Sequence, residues 1–119
     1  MKVIIFGSRH MPFSCYPLIQ QAVDASGFNV TEVVCGLARG ADIFGKKWAY
    51  ERGIPVAEFP ADWEGLGKAA GPARNAQMRD YADAGIGFIW EGSRGSMNML
   101  KQLESVGKPC FVVYNGVMP

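Results

Sequence analysis

The chain has 119 residues with 12 basic and 11 acidic side chains, and 49% of its residues are hydrophobic while 19% are charged. This composition excludes a disordered chain, and the net charge of +1 argues against a general DNA-binding surface. A length below about 150 residues predicts one domain, which takes in residues 1–119.

Short apolar segments alternate with segments of helical periodicity along the whole chain. The predicted strands are residues 3–6, 33–35, 55–59, 86–90 and 110–114. The predicted helices between them are residues 17–26, 41–52, 72–83 and 95–106, with a long connection over 60–71. Pro72 is expected to open the third helix, and Gly85 is expected to follow its end.

This alternation of strands and helices predicts an α/β protein. A parallel sheet covered by helices on both faces, with right-handed crossovers, is a three-layer Rossmann-like fold. For five strands the sequence favours the order 3-2-1-4-5, and the order 2-1-3-4-5 is the alternative.

Neither a disulfide framework nor a membrane segment is expected. The three cysteines, Cys15, Cys35 and Cys110, are widely spaced and predict free side chains in a reducing cytoplasm. The apolar run at the start is too short for a signal peptide, and no run approaches the ~18 apolar residues of a membrane helix. Because His10 is the only histidine, a His-rich metal site and a Ser-His-Asp triad are disfavoured. No metal and no cofactor is predicted.

Glycines and basic residues cluster directly after the predicted strands. The 15 glycines are nearly twice the usual share of about 7%. In an open parallel sheet, ligands bind beyond the carboxyl ends of the strands. The candidate ligand-binding residues at that edge are Gly7, Ser8, Arg9, Gly36, Arg39, Gly40, Asp42, Asp62, Trp63, Lys68, Arg74, Asn75, Gly92, Ser93, Arg94, Gly95 and Ser96.

These residue types are suited to a phosphorylated ligand. Glycine allows backbone N–H groups to approach a ligand, helix N-termini attract anions, and guanidinium groups bind phosphate through two hydrogen bonds. The predicted ligand is a mononucleotide or a nucleotide derivative. Trp63 is either a stacking partner for a base or part of the core, and Asp42 either belongs to the site or interacts with a helix dipole. The alternative interpretation of Arg74 and Arg94 is that they are solvated surface charges.

Five ordered motifs resemble a known superfamily. They are GSR at 7–9, CGLARGAD at 35–42, FPADW at 59–63, GKAAGPARN at 67–75 and SRGS at 93–96. Together they resemble the SLOG superfamily, which unites the DprA/Smf proteins and the LOG phosphoribohydrolases. The branch most similar to this chain is that of small stand-alone SLOG proteins related to YspA and YpsA.

The resemblance implies a Rossmann-like sheet and a nucleotide-derived ligand. The superfamily's G-G-x-x-G-x-D motif has Leu37 at its second glycine. The LOG motifs P-G-G-x-G-T-x-x-E and R-K-x-x-M fall on Gly92, Gly95, Ser96, Met99, Arg74, Asn75 and Met78. The position of the catalytic glutamate is therefore Met99, which can neither stabilise a ribosyl cation nor activate water. Glu91, Asp62 and Asp42 are the carboxylates that remain to replace it.

Three functions follow from these features. The preferred hypothesis is a binding module, a sensor, carrier or sequestering protein for a nucleotide or nucleotide-derived signal. The alternative is an enzyme that cleaves or transfers an N-glycosidic bond of a nucleotide. Single-stranded DNA binding, by analogy with DprA, is disfavoured by the near-neutral charge. Members of the superfamily commonly self-associate, so a homo-oligomer is also compatible with the resemblance.

Overall fold

Five strands and five helices alternate in the protein, in a computed structural model that describes residues 1–119. The strands are β1 (Lys2–Gly7), β2 (Glu32–Cys35), β3 (Val56–Glu58), β4 (Ala84–Ile89) and β5 (Cys110–Tyr114). The helices are α1 (Leu18–Ser26), α2 (Ala41–Glu51), α3 (Trp63–Leu66), α4 (Ala70–Tyr81) and α5 (Arg94–Ser105). Short 3-10 turns at Phe13–Cys15 and Gly67–Ala69 complete the regular structure.

All five strands pair in parallel, in the order β3-β2-β1-β4-β5. This confirms the predicted order 3-2-1-4-5 and excludes the alternative. β1 lies at the centre, with Val3 opposite Val33 of β2 and Ala84 of β4. β2 and β3 are therefore added on one side of β1, and β4 and β5 on the other. The switch point, where the strand order reverses, lies between β1 and β4.

Helices cover both faces of the sheet and produce two separate apolar clusters. Val3 and Ile5 of β1 pack with α1 and α2 in one cluster, whereas Ile4 and Phe6 pack with α4 and α5 in the other. Successive side chains of a strand point to opposite faces, so β1 contributes to both clusters. This arrangement confirms the predicted three layers.

Two glycines in β4 allow close packing against β1 and α5. A Cβ atom on Gly85 would lie 2.6 Å from Leu103 Cδ1, and one on Gly87 would lie 2.7 Å from Phe6 Cζ. Gly85 follows α4 as expected, but it lies inside β4, which begins at Ala84, two residues before the predicted start of the strand. A glycine that leaves room for Phe6 and Leu103 has the same appearance in the sequence as a helix terminator.

The connection between β3 and α4 contains more structure than the sequence predicted. The one-turn helix α3 and the following 3-10 turn occupy Trp63–Leu66 and Gly67–Ala69. Helix α4 begins at Ala70, two residues before Pro72. Proline is tolerated there because the N–H groups of the first helical turn have no partner within the helix.

No helix is both long and apolar enough to cross a membrane.

Candidate functional site

The carboxyl ends of the strands border two adjacent depressions. The first, here the β1–β4 cavity, has a volume of about 280 Å³ and lies at the switch point. Its lining residues are Phe6, Gly7, Ser8, Arg9, His10, Ala38, Asp42, Arg74, Asn75, Met78, Gly92, Ser93, Arg94, Gly95, Ser96 and Met99. The two depressions are adjacent and share six lining residues, which are Arg9, Ala38, Arg74, Asn75, Arg94 and Gly95.

The second depression, here the β2–α4 groove, lies between the loop after β2 and the start of α4. Its volume is about 940 Å³. Its lining residues are Arg9, Gly36, Leu37, Ala38, Arg39, Pro60, Ala61, Trp63, Lys68, Gly71, Pro72, Arg74, Asn75, Arg94, Gly95 and Asn98. Every predicted site residue except Gly40 and Asp62 lines the cavity or the groove.

The loop after β1 is held in place by its own backbone and by Gly40. The N–H of Ser8 donates to the carbonyl of Phe88 at 2.9 Å, and the Ser8 hydroxyl accepts from the N–H of His10 at 3.0 Å. Gly40 has φ +77, and a Cβ atom there would lie 2.2 Å from the carbonyl oxygen of Ser8. Gly40 therefore supports the site by letting the loop after β2 pack on the loop after β1, although it lines neither depression.

Arg74 joins α4 to the loop after β2. Its guanidinium donates to the carbonyl oxygen of Gly36, and its Nε donates to Asn75 Oδ1 at 3.0 Å. A Cβ atom on Gly36 would lie 2.6 Å from Arg74 Nη1 and 2.9 Å from Asp42 Oδ2. Glycine at position 36 thus leaves room for the Arg74 guanidinium and the Asp42 carboxyl group beside the backbone.

Asn75 joins α4 to the start of α5. It is 4% exposed, and its Nδ2 donates to the carbonyl of Gly95 at 3.2 Å and to Asn98 Oδ1 at 3.1 Å. These contacts fix the first turn of α5 against α4. Ser93, which precedes α5, makes no side-chain capping hydrogen bond, so the first turn of α5 has no side-chain cap from this residue.

Asp42 is a buried carboxyl group in the first turn of α2. It is 5% exposed and its Oδ2 accepts from the N–H of Ala38 at 3.4 Å. Burial raises the pKa of Asp42 to about 6, although the positive charge of Arg74 and the N–H groups of Ala38 and Gly7 oppose the rise. The carboxyl group therefore changes protonation near neutral pH, inside the wall of the β1–β4 cavity.

Most cations around the two depressions have no acidic partner. The three salt bridges of the protein are Lys46–Glu58, Lys47–Glu51 and Arg79–Asp80, and none of these residues lines either depression. The β2–α4 groove has five basic lining residues and no acidic one, and Asp42 is the one carboxylate that lines the cavity. This edge of the sheet is therefore electropositive even though the net charge of the chain is only +1.

The predicted site residues Trp63 and Asp62 occupy different environments. Trp63 is 53% exposed and lines the groove, so its interpretation as a core residue is wrong. Asp62 lines neither depression. Its Oδ1 accepts from the N–H of Gly65 at 2.9 Å, so its carboxylate caps the short helix α3.

Several lining residues were not among the predicted site residues. His10 follows Arg9 in the same loop, and Asn98 lies one helical turn after Arg94 on α5. His10 would be predicted if the loop after β1 were extended by one residue. Asn98 would be predicted if the first turn of α5 were included in the candidate site. Met99 is 1% exposed and lines the cavity from α5, so a thioether occupies the wall where the resemblance places a catalytic glutamate.

The protein has no group of three or more His, Cys, Asp or Glu side chains arranged to hold a metal ion. Cys35 is buried, and Cys15 and Cys110 are half-buried; all three are free. Burial raises the pKa of Cys35 and that of Cys110 to about 11 each. Both thiols therefore stay protonated at neutral pH.

The fold and the position of the two depressions define a Rossmann-like α/β protein with its candidate site at the switch point. The model of the YspA, cpYpsA-related SLOG family matches residues 1–65, more than half of the chain, and the protein belongs to that family. This confirms the resemblance seen in the sequence. The match takes in the loops after β1 and β2, whereas Arg74 and the start of α5 lie beyond it.

Two known proteins are similar to the chain. The Gene 61 protein of Mycobacterium phage D29 is 37% identical over 83 residues, which are 65% of this chain and 66% of that protein. DNA processing protein A (DprA) from Streptococcus pneumoniae matches in structure with a TM-score of 0.76 and 19% sequence identity, covering 98% of this chain. The chain spans 52% of the length of that DprA, and the likeness establishes the fold.

Proposed function

We propose that the protein binds a nucleotide or a nucleotide-derived ligand at the β1–β4 cavity and the β2–α4 groove, as a sensor, carrier or sequestering protein. Membership of the SLOG family and the DprA-like fold support a nucleotide-related or DNA-processing role. The observation that carries the proposal of nucleotide binding is the convergence of five basic side chains on one groove. No acidic side chain is among the lining residues of that groove.

The chemistry of the edge supports a phosphorylated ligand. Arginine binds phosphate through two parallel hydrogen bonds, and exposed N–H groups at a helix start add to the attraction. Arg9, Arg39, Lys68 and Arg94 are exposed and form no salt bridge. Their charges are therefore available to a ligand and not neutralised by the protein itself.

The dimensions also support a small-molecule ligand. Ligand sites commonly have volumes of about 300–1,000 Å³. The groove of about 940 Å³ lies within that range, and the adjacent cavity of about 280 Å³ lies just below it. One ligand can thus place its phosphate and its base in neighbouring parts of the same edge of the sheet.

Calorimetry with a panel of nucleoside mono-, di- and triphosphates tests the proposal. The variant Arg39→Ala removes a groove cation and is expected to weaken binding by about 1.5–3 kcal/mol, the usual value of a hydrogen bond to a charged group. Lys101→Ala is the control, because Lys101 is an exposed α5 cation outside both depressions. Equal affinities of the two variants would contradict the proposal. Mass spectrometry of any ligand released on denaturation would then identify the natural ligand.

Cleavage of an N-glycosidic bond is the second candidate function, and Asp42 is the observation that favours it. Of the three carboxylates that sequence reasoning left open, Asp62 caps α3 and Glu91 lines neither depression, whereas Asp42 lines the cavity with its pKa raised to about 6. A carboxyl group with a pKa near neutrality is suited to general acid–base catalysis. Chromatography for free base and ribose phosphate after incubation with the nucleotide panel tests it, and an absence of release at high protein concentration would eliminate it.

Single-stranded DNA is a further candidate partner. The name of the matched DprA links that protein to DNA processing, and a basic groove with an exposed tryptophan is compatible with a strand. The net charge of +1 argues against it. A gel shift with a single-stranded oligonucleotide at physiological salt would end this hypothesis if no complex formed.

A further inference from the structure

Leu37 adopts a backbone conformation that its side chain disfavours. Its φ is +66, and Asn115 is the only other residue besides the glycines with a positive φ. Asparagine tolerates this left-handed region, but a leucine there is a genuine outlier. Glycine would adopt the same φ without cost, so the leucine side chain needs a separate explanation.

Three hydrogen bonds hold the backbone around Leu37 in this conformation. The Arg74 guanidinium donates to the carbonyl of Gly36. The N–H of Leu37 approaches Cys35 Sγ at 3.3 Å, and the N–H of Ala38 donates to Asp42 Oδ2 at 3.4 Å. Strained residues persist where the surroundings determine their conformation in this way, and they cluster at functional sites.

The Leu37 side chain does not serve the core. It is half-buried, yet it packs against neither of the two apolar clusters. Trp63, which is 53% exposed, also lies outside both clusters. These are the two large apolar side chains among the lining residues of the β2–α4 groove, and Arg39 and Lys68 line the same groove.

We propose that Leu37, together with Trp63, forms the wall of the groove against which the base of a nucleotide packs. The inference rests on the proposed function. It adds which residues contact the flat aromatic base of a ligand such as a nucleoside monophosphate. The base contacts the apolar wall, and the phosphate contacts the basic side chains nearby. Leu37 is thus a specificity-determining residue that favours ligands with a base over sugar phosphates without one.

The test compares nucleoside 5′-monophosphates with ribose 5-phosphate by calorimetry, using L37G and L37A. The wild-type protein should bind the monophosphates more tightly than ribose 5-phosphate. Both variants should weaken monophosphate binding about tenfold, which is within the value of removing part of a leucine side chain from water, and should leave ribose 5-phosphate binding unchanged. The urea midpoint of L37G should not fall, because glycine relieves the strained φ at position 37.

N115G is the matched control. It places glycine at the other positive-φ residue, in the turn after β5 and outside both depressions, and its affinity for both ligands should equal that of the wild type. W63A should repeat the selective loss seen for L37G, because Trp63 belongs to the same wall.

The possible failures are distinguishable. If the wild type binds neither ligand, the proposed function itself fails and the wall fails with it. If the wild type binds both ligands equally, the phosphate site stands and the wall is overturned. Unchanged or increased monophosphate affinity of L37G, an equal loss for both ligands, or a clear fall in its urea midpoint would also overturn the wall. A parallel titration with an oligo-dT strand identifies the sources of the base: if L37G weakens binding of the strand as well as of the monophosphates, the wall also accepts the bases of a nucleic acid, and if it weakens binding of the monophosphates alone, the wall is confined to free nucleotides.

Discussion

The β1–β4 cavity and the β2–α4 groove share an edge of the sheet but differ in how their polar groups are held. The four buried polar or charged side chains of the protein are Ser8, Asp42, Asn75 and Ser96, and all four line the cavity. Three of them make side-chain hydrogen bonds within the protein: Ser8 accepts from His10, Asp42 accepts from Ala38, and Asn75 donates to Gly95 and Asn98. The cavity is therefore fixed by the fold before any ligand arrives.

The groove has the opposite character. Its cations Arg9, Arg39, Lys68 and Arg94 are exposed and make no salt bridge, and Trp63 is also exposed. Such side chains contribute little to the stability of the fold. The comparison teaches that substitution of the buried polar residues should change stability, whereas substitution of an exposed residue that lines only the groove, such as Arg39, should change binding alone.

The largest expected effect on stability is the pH dependence contributed by Asp42. Its pKa is raised from 3.8 to about 6 in the folded protein. Between these values the folded state binds the proton more tightly than the unfolded state, so the free energy of unfolding falls as pH rises through this window. The full contribution is about 3 kcal/mol. D42N, which retains an oxygen for the Ala38 N–H, should abolish this fall in urea unfolding measured from pH 3.5 to 7.

The comparison of wild type and D42N removes the effects of other carboxylates. The pKa values of Glu51 and Asp80 are lowered by hydrogen bonds from Tyr16 and Arg79 respectively, so both give the opposite slope at lower pH, and both are present in the two proteins. Parallel pH curves for wild type and D42N would show that Asp42 titrates at its ordinary pKa and is not part of a buried, fixed cavity.

Loss of the Asn75 side chain should have the next largest effect. N75A removes two donated hydrogen bonds between α4 and α5 and leaves polar partners unsatisfied, so unfolding in urea should become easier by about 2 kcal/mol. N29A is the control, because Asn29 is exposed and its side chain makes no hydrogen bond. A similar small change for both variants would mean that the start of α5 does not depend on Asn75.

The sequence carried most of the fold and the position of the site. Four of the five strands contain a continuous apolar run, β3 being the exception, and the carboxyl ends of parallel strands necessarily share an edge. Arg9 and Arg94 were placed at this edge on that basis alone, and the structure brings them to the same two depressions. Topology therefore determines which loops meet.

Local hydrogen bonding was less accessible to sequence reasoning. Asp62 follows a strand in the sequence, as a ligand-binding carboxylate would. Its oxygen instead caps the four-residue helix α3. The left-handed Leu37 follows Gly36, whose carbonyl accepts a hydrogen bond from Arg74, 38 positions away in the chain. Interactions of this range follow from tertiary packing, which periodicity and composition do not encode.

The smallest expected change in stability is at Arg39, and it tests the groove side of the comparison. Arg39 is exposed and forms no salt bridge. R39A should therefore change the free energy of unfolding by no more than about 0.5 kcal/mol, even though the same substitution should weaken nucleotide binding strongly. Urea unfolding and calorimetry on the same preparation give both quantities. A loss of stability comparable to that of N75A would show that Arg39 serves the fold, and its loss of affinity could then not be assigned to direct contact with a ligand.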